Sequence, residues 1–179
     1  ERILDAALEL FFERGIQAVG VDPIVERAGV AKMSLYNHFA SKDELIAEFL
    51  REKDRRWRAE FAGAVHDAAP DGRGRILAAF DLVRRALEAC DYRGCAFINA
   101  AGELADASHP GRAACAEHID WLRSFFESLA RDAQLRDATA LAGSLVTLFQ
   151  GALTVGATER NPRAAGDARR AAESLLNMS

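Results

Sequence analysis

Apolar residues at Ile3, Leu4, Ala7, Leu8 and Phe11 fall at i, i+3, i+4 spacing and predict a first amphipathic helix. Gly15 stands where a C-cap would end it. A second, very short helix is expected over 22–28, with Ile24 and Ala28 on its inner side, and Gly29 and Val30 supply a tight turn. A third, two-turn helix is expected over 32–39, anchored by Leu35 and Phe39. Ser41 followed by Glu44 three residues later is a capping box. It opens a long helix whose apolar positions, Leu45 to Val65, carry it to 66. After a loop rich in Asp, Gly and Pro at 67–74, the pattern predicts helices at 73–90, 95–106, 110–132, 136–158 and 163–177. Pro23, Pro70, Pro110 and Pro162 all stand near predicted helix starts, where a missing amide hydrogen does least harm.

Composition supports an all-α chain of about nine helices. The 179 residues include 36 alanines, the best helix former, and only 19 valines, isoleucines and threonines together. The net charge of −4 at pH 7 announces no nucleic-acid binder, so any such surface must be local. Residues 1–50 hold five basic groups and nine acidic ones. The chain opens on Glu1 with no signal peptide, and a leading segment is expected before it. Ala138 to Thr158 is free of charge and long enough to span a bilayer. Its hydroxyls, Gln150 and three glycines favour a helix buried by other protein, in a cytoplasmic chain without a membrane partner.

Chemistry concentrates in 20–39, GVDPIVERAGVAKMSLYNHF: helix, glycine turn, short helix. Lys32, Ser34, Asn37 and His38 project around a backbone held by Leu35 and Phe39, an arrangement that can enter a major groove. Lys42, in the first turn of the next helix, can hold a phosphate together with the free amides there.

These residues resemble the TetR-type (tetracycline-repressor-like) regulators. The likeness is carried by the apolar first helix, A-G-V at Ala28–Val30, L-Y-x-H-F at Leu35–Phe39 and K-x-x-L at Lys42–Leu45. It covers about the first 50 residues. It implies a helix-turn-helix DNA-binding domain over 1–41 (motif 20–39), a connecting helix over 42–66, and a ligand-binding and dimerisation domain over 67–179. It further implies a homodimer on double-stranded operator DNA, released when a small molecule alters the spacing of the recognition helices. By position, Lys32, Met33 and Ser34 would face bases or nearby phosphates, and Asn37 is a further base contact. Tyr36 and His38 would reach phosphates, and Lys42 would clamp the backbone. Ala31, Val19 and Gly20 stand where the family often has hydroxyl side chains.

Beyond the motif, Trp121 or Phe125, with Phe97, Phe61, Trp57 or Phe149, are candidate linings of an apolar effector cavity. The leucine and small-residue faces of 136–158 and 163–177 suit a four-helix dimer interface. Cys115 and His118 offer two metal ligands, short of a site, and no cofactor is expected. No nucleophile elbow, phosphate-binding glycine loop or carboxylate dyad argues for an enzyme. Two alternatives are a helical adaptor without DNA binding, favoured by the acidic start, and a regulator sensing oxidants through Cys90, Cys95 or Cys115.

Overall fold

A computed structural model describes residues 2–89 and 91–179. The described residues form helices and no strand: α1 (Arg2–Arg14), α2 (Val21–Ala28), α3 (Lys32–His38), α4 (Lys42–Ala68), α5 (Gly72–Ala89), α6 (Ala96–Glu103), α7 (Pro110–Asp132), α8 (Ala138–Glu159) and α9 (Arg163–Met178). Each agrees with the periodicity to within a turn. α6 is the shortest relative to expectation, because 104–109 leave the helix before Pro110.

The chain divides into two compact units, Glu1–Trp57 with Phe97–His118, and Arg58–Ala96 with Ile119–Ser179. The grouping of 97–118 with the first unit differs from the sequence division at 66/67. Its cause is a set of long-range polar ties. Glu103 accepts the Gln17 N–H at 3.0 Å, Arg51 pairs with Glu117 at 3.4 Å, and His109 Nε2 lies 3.3 Å from Asp43. At the centre, His118 Nδ1 is 2.8 Å from Asp54 Oδ1. The His118 ring stacks on Phe97 at 3.8 Å and tilts against Trp57 at 4.9 Å.

In the second unit, α8 packs on α5 and α9. It is long and apolar enough to cross a membrane by length and composition. Leu141, Leu145, Phe149 and Leu153 are nevertheless buried inside the unit, so it is built as a core helix. Its outward stripe is Ala140, Ser144, Thr147, Gly151, Thr154 and Thr158. The leucines expected at a dimer face are thus mostly turned inward, and small side chains together with Val155 remain outside. Ser144, Thr147 and Thr158 donate their hydroxyls to carbonyls one turn back on their own helix.

Candidate nucleic-acid interface

The first unit builds the candidate interface on a glycine turn. Gly29 takes a left-handed backbone, φ 62°, and its N–H reaches the last carbonyls of α2. A side chain there would be strained, and a Cβ would also approach the Arg2 guanidinium to 2.9 Å. Arg2 already donates to the Gly29 carbonyl at 3.3 Å, so the turn is held from α1. Ala31 is the α3 N-cap and supplies no side-chain hydrogen bond. That leaves the first amides of α3 free of a cap.

α3 is anchored by Leu35, which is fully buried, while Phe39 is half-buried. The opposite side of the helix is open. Met33 is 70% exposed and Tyr36 43%, Lys32, Asn37 and His38 are exposed, and Ser34 is half-buried. His38 Nδ1 lies 2.7 Å from the Ser34 carbonyl. A carbonyl only accepts, so Nδ1 donates and Nε2 is the atom turned outward. At the α3–α4 turn, Ser41 Oγ accepts the Glu44 N–H at 3.1 Å. The Glu44 carboxylate accepts the Ala40 N–H at 2.7 Å, one residue earlier than a standard capping box. Lys42 Nζ donates to the Ile16 carbonyl at 3.2 Å. An ammonium has three donors, so this bond fixes its place and leaves two for a phosphate.

The acid excess is largely absorbed within the protein. Glu9 pairs with Arg27 at 2.8 Å and Asp5 with Arg56 at 3.3 Å. Glu48 and Glu52 pair with Arg55, and Glu52 also with Arg56. Arg55 and Arg56 of α4 are therefore committed to their own helix and to α1, and Arg51 to Glu117 of α7. Asp22 is the exception that bears on binding. Its carboxylate sits 2.6 Å from Lys32 Nζ, both groups exposed, and this hydrogen bond raises the Lys32 pKa above the ordinary lysine value. The position of Asp22 at the second residue of α2, opposite the start of α3, was the available signal for this pair.

The candidate effector residues separate. Phe61, Trp121, Phe125 and Phe149 come together in the second unit, with Phe61 5.5 Å from Phe149 and 5.6 Å from Phe125. Trp121 stacks on Phe125 at 5.0 Å, and the Arg58 guanidinium lies 5.3 Å over Trp121. Trp57 and Phe97 instead enclose His118 in the first unit. Of the two ligands that Cys115 and His118 could offer a metal, the Nδ1 of His118 is engaged by Asp54. Cys95 and Cys115 are buried, and Cys90 lies outside the described residues.

Known proteins share the sequence pattern and the fold of this chain. Residues 3–49 match the bacterial regulatory proteins of the tetR family. Residues 74–171 match the C-terminal domain described as transcriptional regulator LmrA/YxaF-like. The chain belongs to the tetR family. It is a DNA-binding transcriptional regulator. A solved tetR-family regulator from Streptomyces coelicolor, SCO4454, superposes with a TM-score of 0.85 at 31% identity, covering 98% of this chain and 93% of that one. The regulator LmrA of Bacillus subtilis is 28% identical over 166 residues, 90% of this chain and 87% of its own. The repressor KstR2 of Mycobacterium tuberculosis is 47% identical over 49 residues, 27% of this chain, and the match spans only 24% of KstR2. Members of the family bind operator DNA as dimers and respond to small-molecule effectors.

Proposed function

We propose that this tetR-family chain is a cytoplasmic homodimeric repressor. It holds a near-palindromic operator through paired α3 helices and is released by a small, partly apolar effector bound in 67–179. The observation that carries this reading is the exposed α3, rooted by buried Leu35 and flanked by Lys42 with donors to spare. Lys32, Met33, Ser34 and Asn37 are assigned to bases and adjacent phosphates, and Tyr36, His38 and Lys42 to the backbone. Two copies would meet successive major grooves about 34–36 Å apart.

The subunits pair through 136–158 and 163–177. Supporting this, Gly143 and Gly151 have open space where a Cβ would stand, and the outward stripe of α8 is uncharged. Back-bonded hydroxyls leave that stripe presenting mainly methyl and backbone hydrogen surface, which a second copy can cover without breaking side-chain hydrogen bonds. The aromatic group around Phe61 supplies the apolar wall for an effector. Effector binding acts by population shift, and α4, unbroken from Lys42 to Ala68, is the element through which it reaches Lys42. Repression rather than activation follows the function named for KstR2.

The test is fluorescence anisotropy with duplex from the chain's own upstream region against random duplex across a salt series, joined to a promoter fusion. Preferred, salt-dependent binding together with lower reporter output in the presence of the protein is expected. Equal affinity for random duplex would refute the operator reading, and raised reporter output would make the protein an activator.

A further inference from the structure

Gln150 is the polar side chain of the second unit that its fold leaves unexplained. It is 8% exposed, and both its amide nitrogen and its carbonyl oxygen are buried without a hydrogen-bond partner. Val146 and Leu153, one turn to either side on α8, are buried aliphatics, so the amide lies on the same buried side of the helix as they do. Such a group costs stability unless something completes its hydrogen bonds. A second copy of the chain docking on the outward stripe does not supply them, because neither amide atom reaches the surface.

The α5–α6 connector meets α8 beyond Gln150. A Cβ at Gly94 would fall 3.1 Å from the Ala157 Cβ and 3.4 Å from the Leu153 carbonyl, one to two turns beyond Gln150 on the same side of α8. The connector is under strain: Asp91 and Tyr92 have φ of 48° and 58°, and Gly94 has 73°. Left-handed backbone is unfavourable for the two side-chain-bearing residues. The connector is clasped from the far end of α8 by Arg160, which pairs with Asp91 at 2.7 Å and lies 5.9 Å from the Tyr92 ring.

We propose that Gln150 is the polar anchor of the effector site, exposed when the 91–95 connector is displaced. The ligand it selects is an uncharged molecule with a hydrogen-bond donor and acceptor side by side, as in a carboxamide or lactam, on an apolar ring. A primary amide side chain offers one acceptor and one two-hydrogen donor in a plane, and such a group completes both. A carboxylate meets the nitrogen but repels the carbonyl oxygen, and it must shed its hydration in apolar surroundings. The inference rests on the effector reading above, and its test separates the two.

The full-length protein is titrated by calorimetry with 2-naphthamide, 2-naphthoate and naphthalene, free and on its upstream duplex, alongside Gln150→Leu and Gln150→Met. The wild type is expected to prefer the amide over both analogues by about 10-fold or more, as two added hydrogen bonds allow. Both variants should lose that preference while keeping or raising their melting temperature. Loss of stability in both variants would mean that the amide is already satisfied inside the fold, and would overturn the proposal. So would equal affinity of the wild type for amide and hydrocarbon, or no binding of the amide up to its solubility limit. DNA release by the probes irrespective of residue 150 overturns the proposal and leaves the effector reading standing. Gln150-dependent amide binding that leaves DNA affinity unchanged supports the site and refutes its role as an effector site.

Discussion

Asp54→Leu probes the centre of the first unit. Asp54 and His118 are 5% and 2% exposed, come from α4 and α7, and meet at 2.8 Å. A hydrogen bond between two buried side chains in such a place is worth more than a surface pair, and removing one partner strands the other in a dry interior. Breaking buried pairs costs about 3–5 kcal/mol. For a chain of this length each kcal/mol lowers Tm by about 2–4 °C, so a fall of about 6–12 °C is the least expected. The double variant Asp54→Leu/His118→Phe removes both polar groups and keeps a ring against Phe97 and Trp57. It should recover to within about 1 kcal/mol of the wild type. Calorimetric melting at one fixed protein concentration is the assay, since dimerisation makes Tm concentration-dependent. A single variant melting within about 2 °C of the wild type, or a double variant no better than the single, would show that this pair does not hold α4 to α7.

Four further outcomes are expected. Lys42→Ala should weaken specific and random duplex alike and reduce the slope of log affinity against log salt by about 1, read by anisotropy. Asp22→Asn frees Lys32 from its carboxylate, so it should strengthen random-duplex binding severalfold and steepen the salt dependence; unchanged affinity would mean that Lys32 stays away from DNA. Met33→Ala should abolish any sensitivity of binding to replacing thymine by uracil at the contacted position, because the side chain then no longer meets the methyl group. Glu52 is held below its ordinary pKa by hydrogen bonds from Arg56 and Arg55, so its stabilisation is complete above the ordinary carboxylate range. It is lost as pH falls through the lowered value. The Tm gap between wild type and Glu52→Gln should therefore be full at pH 7 and close on acidification; a gap that widens in acid would contradict the pairing.

The helices and the exposed side of α3 were legible because both are local. Periodicity places Leu35 inside, and the glycine turn places α3 after α2. The alliance of 97–118 with the first unit was not legible, since it depends on Glu103 meeting Gln17 and His118 meeting Asp54, partners 86 and 64 positions apart. The split of the aromatic candidates has a similar cause. Trp57 and Phe61 share one stripe of α4 at i, i+4, but a stripe tells which side is buried and not which neighbour buries it. Trp57 meets His118, whereas Phe61 meets Phe149. The acidic start looked hostile to DNA because a charge count does not see that Glu9, Asp5 and Glu48 are occupied by arginines.

That internal neutralisation also shapes how the protein finds its operator. With the α4 arginines spoken for and Lys32 shared with Asp22, few counterions are displaced at any one stretch of random duplex. Brief visits to unrelated DNA are then expected, with a search by many short encounters through solution more than by long travel along one molecule.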